Sequence, residues 1–248
     1  MQLVIDIGNT RIKAAIFDGT ELKHFFVYDS TTELLASGIL EKYPVANCIL
    51  ASVVNDIEPF LEKLRWKVKV LLFNADTAIP IKNLYKTANT LGSDRLAAAV
   101  GGNFLHPGKN VLVIDCGTCI KYNFVSSNNE YLGGAIAPGL QMRFKSLHTF
   151  TARLPLLEAD EKFDSLIGTN TNESIVSGVQ NGAVAEVDGI VAQYKSQYPE
   201  LKVLITGGDV NFFEKRLKNS IFADQNLILK GLNVILDYNL NRIINRNE

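Results

Sequence analysis

The chain has little of what marks several large classes of protein. It holds three cysteines, Cys48, Cys116 and Cys119, an odd number and too few for a disulfide framework, which suits a reducing compartment. Neither charge is in surplus. A formal net charge of -1 gives no electrostatic footprint for a nucleic-acid backbone or an acidic membrane, although a balanced chain can still carry a local basic pocket. No uninterrupted apolar run reaches the length of a bilayer span. The opening Met1-Gln2-Leu3-Val4-Ile5-Asp6 has no basic segment ahead of an apolar one and meets a carboxylate before a signal core could form. A cytoplasmic protein that binds neither nucleic acid nor membrane is therefore expected. What is present is ample apolar material: 248 residues, 47% hydrophobic and 21% charged, enough to bury a core in one large domain or two small ones.

That material is organised by an internal repeat. Leu3-Val4-Ile5-Asp6-Ile7-Gly8-Asn9-Thr10 recurs as Leu112-Val113-Ile114-Asp115-Cys116-Gly117-Thr118-Cys119. Each copy reads as a short buried strand that ends in a turn and returns as a second strand, over 12–17 and 120–125. Two such hairpins predict a duplicated α/β protein with lobes at 1–110 and 111–248, joined near Pro107-Gly108-Lys109-Asn110 and packed around a cleft. Strands over 48–54 and 68–73 flank a helix over 56–65 with Ile57, Phe60, Leu61 and Leu64 on one face, and β-α-β alternation implies a largely parallel sheet. An Ala-rich helix running through Val100 is expected to be capped by Ser93 or Asp94. In the second half, glycine turns at Gly133-Gly134 and Pro138-Gly139 bracket a short strand over 135–137. A helix follows from Gln141, 154–168 is irregular, and a long helix spans 172–194. A strand then runs from Val203 into Gly207-Gly208, and a closing amphipathic helix carries Leu232, Ile235, Leu236, Leu240, Ile243 and Ile244.

The chemistry concentrates in the repeat. A carboxylate at the end of a buried strand, followed by a glycine that admits close backbone approach, suits a turn whose donors surround phosphate oxygens, with Asp6 holding Mg²⁺ through water. A plain Asp-x-Gly hairpin is the alternative for one copy, but two matching carboxylate turns are what an ATP and metal cleft requires. Lys13 reads either as a phosphate ligand or as a solvated strand lysine. Asp94 reads as a proton acceptor or as a helix cap, Thr171 as a ligand or the cap of the long helix, and Tyr85 as a ligand or a core aromatic. Cys116-Gly117-Thr118-Cys119 has redox spacing, but no second cysteine pair completes a zinc site and His24, His106 and His148 lie at no ligand spacing to it. The following residues alternate as a strand, where a redox pair opens a helix. The two thiols therefore read as small residues in a tight turn.

The two turns resemble the phosphate loops of the two-lobed ATP-cleft superfamily of sugar kinases, actin and Hsp70 chaperones, and Thr206-Gly207-Gly208 resembles its adenosine-side glycine turn. Three more segments are similar to stretches of type III pantothenate kinases: Leu91-Gly92-Ser93-Asp94-Arg95, Gly133-Gly134-Ala135-Ile136-Ala137-Pro138-Gly139, and Gly168-Thr169-Asn170-Thr171 leading to Ser177-Gly178. With the two loops they stand in the family's order over nearly the whole chain. The resemblance implies a duplicated ribonuclease-H-like fold and ATP-dependent phosphorylation of pantothenate to 4'-phosphopantothenate, the first step towards coenzyme A. It implies that Asp6, Ile7, Gly8, Asn9, Thr10, Arg11, Ile12 and Lys13 bind ATP phosphates, with Mg²⁺ at Asp6, and that Thr118 contacts ATP. Asp115 is implied to bind an activating K⁺ or NH₄⁺. Tyr85, Gly92, Ser93, Asp94, Arg95 and Thr171 are implied to hold pantothenate, with Asp94 as general base, in a homodimer. One departure stands at Ala88, where the family has proline three residues after the tyrosine matching Tyr85, so a less rigid loop is expected. A non-catalytic nucleotide-binding regulator is the competing class, because some members were first named Bvg accessory factors. The lack of a basic patch or helix-turn-helix pattern, and the presence of Asp94, speak against it.

Overall fold

The computed structural model describes residues 1–54 and 56–244, the side chains of Ile243 and Ile244 excepted. The first elements are β1 (Gln2–Ile7), β2 (Ile12–Asp18), β3 (Glu21–Tyr28), α1 (Thr31–Ala36), α2 (Ile39–Lys42), β4 (Asn47–Ser52), α3 (Glu58–Arg65), β5 (Lys69–Leu72), β6 (Lys82–Asn83) and α4 (Ser93–Leu105). There follow β7 (Val111–Cys116), β8 (Cys119–Val125), β9 (Glu130–Pro138), α5 (Leu140–Thr149), α6 (Thr171–Gln197), β10 (Lys202–Thr206), α7 (Val210–Glu214), β11 (Phe222–Ala223) and α8 (Leu227–Ile244). Two compact units result. Unit 1 holds Met1–Pro107, Asn129–Leu132 and Asn226–Glu248, and unit 2 holds Gly108–Asn128 and Gly133–Gln225.

In unit 1 the sheet order is β3-β2-β1-β4-β5, with β1 antiparallel to β2 and parallel to β4. Leu3, Val4 and Ile5 are fully buried, as expected where a short apolar run without alternation is covered on both faces. The closing helix α8 belongs to this unit and packs on α4. A glycine on each helix, Gly231 of α8 and Gly101 of α4, explains the approach. A Cβ at Gly231 would collide with the Ala97 carbonyl, and one at Gly101 would stand 2.6 Å from the Leu227 carbonyl oxygen. Polar ties hold α8 in register: Asn233 donates to the Gly19 carbonyl (2.9 Å), Asn239 to that of Ala78 (2.8 Å), and Gln2 to the Asp237 carboxylate (2.6 Å).

Unit 2 repeats the arrangement, with strand order β11-β10-β7-β8-β9. Strand β7 is antiparallel to β8 and parallel to β10. The order hairpin, central strand, parallel neighbour, edge is the same in both units, so the sequence repeat is a structural one and the fold is the duplicated ribonuclease-H-like α/β arrangement. Leu112, Ile114, Ile120, Tyr122 and Phe124 pack with Ile175, Val179, Ala183, Val187 and Val191 of α6 in one core. The glycine pair Gly133-Gly134 is not a turn. Both residues have positive φ, 111° and 155°, but β9 runs straight through them, because Gly134 lies so close to the Tyr122 backbone that a Cβ would collide with its carbonyl. Of the expected apolar positions on the closing helix, Ile243 and Ile244 lie outside the described side chains.

Replacing Gly231 by alanine forces α4 and α8 apart. An overpacking cost of about 1–3 kcal/mol is expected, read from urea denaturation. An unchanged midpoint would show that this helix crossing tolerates a side chain.

Candidate active site

In unit 1 the β1–β2 hairpin sets Asp6 directly opposite Lys13. Asp6 is buried at the end of its strand, while Asn9, Thr10 and Arg11 are exposed on the turn. The Gly8 N–H donates to the Arg11 carbonyl (3.1 Å) and closes it. Ile7 and Ile12 put their side chains into the core, so only their backbone is open to a ligand. Among the described residues no three His, Cys, Asp or Glu side chains gather to cage an ion. A Mg²⁺ at Asp6 would be shared between one carboxylate, water and nucleotide phosphates, the mode this small ion prefers, and the buried acid beside an exposed donor-rich turn fits it.

The cap of α4 precedes both candidates, one residue before Ser93 and two before Asp94. Gly92 is the N-cap, and Ser93 and Asp94 are the first two helical residues. A Cβ at Gly92 would stand 2.5 Å from Asp94 Oδ1, so glycine is what lets the carboxylate fold back over the helix start. There Oδ1 accepts the Arg95 N–H at 2.8 Å, a donor it shares with the Gly92 carbonyl at 3.1 Å. Arg95 is buried, with its guanidinium carbon 5.6 Å from the Tyr85 ring centroid, a cation–π distance. Tyr85 also lies tilted against Tyr131, ring centroids 6.1 Å apart, and is half-buried rather than a core aromatic. Ala88 opens a single 3₁₀ turn over Ala88–Thr90. The structure thus brings Tyr85, Gly92, Ser93, Asp94 and Arg95 together.

In unit 2 three segments converge on the second turn. Asp115 is buried opposite Lys121, and Lys121 Nζ lies 2.6 Å from Asp115 Oδ2. The Gly139 N–H donates to the Thr118 carbonyl (3.1 Å) and the Asp209 N–H to that of Cys116 (2.9 Å). Gly207, at φ 102°, lies against the Asp115 carboxylate, where a Cβ would be 2.6 Å from Oδ1. Gly117 is different. It is not among the positive-φ residues, and a Cβ there would meet nothing within 4 Å, so the fold itself does not ask for glycine. A group approaching the backbone closely would be one reason for it. Thr118, beside it, is exposed.

Thr171 is exposed at the start of α6, but the cap is Asn170, whose side chain accepts the Glu173 N–H at 3.0 Å. Glu173 in turn accepts from the N–H and hydroxyl of Thr169, one residue before the cap. Thr171 instead lines a cavity of about 820 Å³ in unit 2, with Arg143, Ser146, Gly168 and Ser174 among its walls. The cysteines behave as fillers. All three are free, and burial, then the Asp115 and Asp209 carboxylates, pushes the Cys116 thiol far up and away from the reactive thiolate.

Sequence reading missed Lys121 and Asp209. The first was legible as the lysine on the returning strand of the second repeat, matching Lys13 in the first. The second follows the glycine pair as an acid, but only folding shows it near Asp115. Burial, and then Asp115, raises the Asp209 carboxyl above its ordinary value.

Gly117→Ala is expected to leave thermal stability unchanged or slightly raised, by up to about 1 kcal/mol, while weakening ATP binding in calorimetry. A collapse of stability would make Gly117 a structural residue. For Asp209 the native state holds the proton more tightly than the unfolded chain. Its contribution to stability is complete below the unfolded value of about 3.9 and is lost as pH rises through the raised native value. Asp209→Asn should therefore gain Tm relative to the parent as pH rises above the unfolded value of about 3.9. A pH-independent difference in scanning calorimetry would contradict this.

The sequence profile of type III pantothenate kinases matches residues 2–193. A type III pantothenate kinase of Bacteroides fragilis is 47% identical over 245 residues, 98% of this chain and 100% of the relative. One of Flavobacterium johnsoniae is 43% identical over 243 residues, 97% of this chain and 99% of the relative. Among solved structures, a Baf family protein of Campylobacter jejuni superposes with a TM-score of 0.62 at 22% identity, covering 96% of this chain and 99% of that one. A ROK family glucokinase of Streptomyces griseus, in complex with glucose and AMPPNP, gives 0.54 at 13% identity, covering 96% and 98%. At such identities these two likenesses are of fold, the two-lobed ATP-binding fold of the sugar kinases. On the profile match and the near-full-length relatives, this chain belongs to the type III pantothenate kinase family.

Proposed function

We propose that the chain transfers the γ-phosphoryl group of ATP to the primary hydroxyl of pantothenate, giving 4'-phosphopantothenate at the entry to coenzyme A synthesis. Beyond family membership, the observation that carries this reading is the placement of Asp94 at the first turn of α4 beside Arg95 and Tyr85, a proton acceptor next to a carboxylate-binding fork. Pantothenate carries both a hydroxyl and a carboxylate. Arg95, held by the Tyr85 ring, offers its planar donors to the carboxylate, and Gly92 and Ser93 give backbone contacts at the helix N-terminus. Asp94 accepts the hydroxyl proton and aims the oxygen at the γ-phosphorus. Phosphoryl transfer passes through a loose transition state, so positioning and charge stabilisation carry most of the catalysis.

The turn of residues 6–13 supplies the phosphate donors, with Asn9, Thr10, Arg11 and Lys13 by side chain and Ile7, Gly8 and Ile12 by backbone. Asp6 holds Mg²⁺, which offsets phosphate charge when bound. Thr118 contacts ATP from the second turn, where Gly117 leaves its backbone open, and Thr171 contributes to the acceptor site. An activating K⁺ or NH₄⁺ at Asp115 does not fit the residues there as they stand, because Lys121 already holds Oδ2.

A homodimer is part of this reading. Ile136, Phe150, Leu156, Leu166 and Ile167 of unit 2 are each more than half exposed, apolar surface that a second copy would cover. The free cysteines support a cytoplasmic setting, and among the described residues no helix is long and apolar enough to cross a membrane.

The test is release of ADP from ATP in the presence of pantothenate, against a panel of other primary alcohols. Turnover confined to another alcohol would reassign the substrate, and none at all would remove the kinase reading. Asp94→Asn keeps an acceptor for the Arg95 N–H and should fold normally, yet lose about 10²- to 10⁴-fold in turnover. Activity within about threefold of the parent would leave Asp94 with a purely structural role.

A further inference from the structure

We propose that Lys121 is a built-in counter-ion for Asp115: its tethered ammonium takes the place of a bound monovalent cation, so that nucleotide binding by this chain needs neither K⁺ nor NH₄⁺. The inference rests on the phosphoryl-transfer reading above and concerns how that site manages charge.

The placement is set by register. Lys121 stands directly opposite Asp115 across the β7–β8 hairpin, and Thr206 of β10 is the partner of Asp115 on the other side. Side chains alternate along a strand. Ile114, Cys116, Ile120 and Tyr122 face the core of unit 2, so Thr206, Asp115 and Lys121 form a row on the opposite face. Within that row the Nζ to Oδ2 distance is 2.6 Å, and the two side chains are only 21% and 9% exposed. This is a charge-assisted hydrogen bond where water competes little for either partner.

A monovalent ion requires several oxygens in place of its hydration shell. Here one oxygen of Asp115 is engaged by the lysine, and the other lies against the Gly207 backbone. An alkylammonium has the charge of K⁺ and the N–H donors of NH₄⁺. Because it is part of the chain, it is present without the entropic cost of recruiting an ion. Its effect is the one such an ion would have, removing the repulsion between a buried carboxylate and incoming phosphates. The remaining acid nearby, Asp209, has its carboxyl raised above the ordinary value by burial and by Asp115 itself.

The test uses the full chain in choline, sodium, potassium and ammonium chloride at equal ionic strength. It reads ATP affinity by calorimetry and ADP release with pantothenate. The parent should vary by less than about twofold among the salts, whereas Lys121→Met should weaken in choline and recover with K⁺ or NH₄⁺ by about 5- to 150-fold, the usual range of coupling between sites. Parent activity or ATP binding that requires K⁺ overturns the proposal. So does a folded Lys121→Met that matches the parent in choline. If the variant does not fold, the parent's salt series decides alone. Absence of ADP release in every salt would overturn the pantothenate reading, while ATP calorimetry would still decide the role of Lys121.

Discussion

Each unit of this protein is built around a carboxylate buried at the end of its central strand, and the surrounding structure is arranged so that this carboxylate can exist there. Removing an ionised carboxyl from water costs several kcal/mol even after relaxation, and the cost must be offset by fixed partners. At Asp115 the partner is the Lys121 ammonium, brought in by hairpin pairing. At Asp6 the same pairing places Lys13 on the neighbouring strand. A flat antiparallel pair is what makes this possible, since residues opposite one another share a face.

Backbone closeness follows from the same requirement. Gly207 and Gly139 bring two other segments against the second turn, and a methyl group on either would strike its carbonyls. Gly117 has room for one and still lacks it. The first two serve packing around the acid, while packing does not require the third, which is why ATP contact is proposed there. Asp94 accepts a helix N–H with its carboxylate and still remains half-exposed, as the proposed proton acceptor requires.

Much of the fold was legible in the chain. The Leu-Val-Ile-Asp repeat, the β-α-β spacing and the periodic apolar positions of the long helix are local signals, because strand and helix period follow from residue order alone. The same holds for the Asp-x-Gly turns and the Gly-Ser-Asp-Arg segment. The errors were those of context. Gly133-Gly134 reads as a turn, because positive φ is usually a turn signal, whereas here it accommodates a neighbouring strand. Asn170 and not Thr171 caps α6, a choice between adjacent capping residues that sequence leaves open.

By itself, then, the sequence determined the fold class, the two carboxylate turns and the family, since each depends on residue types at short spacing. Only the tertiary structure decided that α8 returns to the first unit, that Arg95 lies over Tyr85, and that Asp209 comes near Asp115. Those are contacts of register and long-range closure. Their energies depend on which strands become neighbours, and no local pattern of residues encodes that.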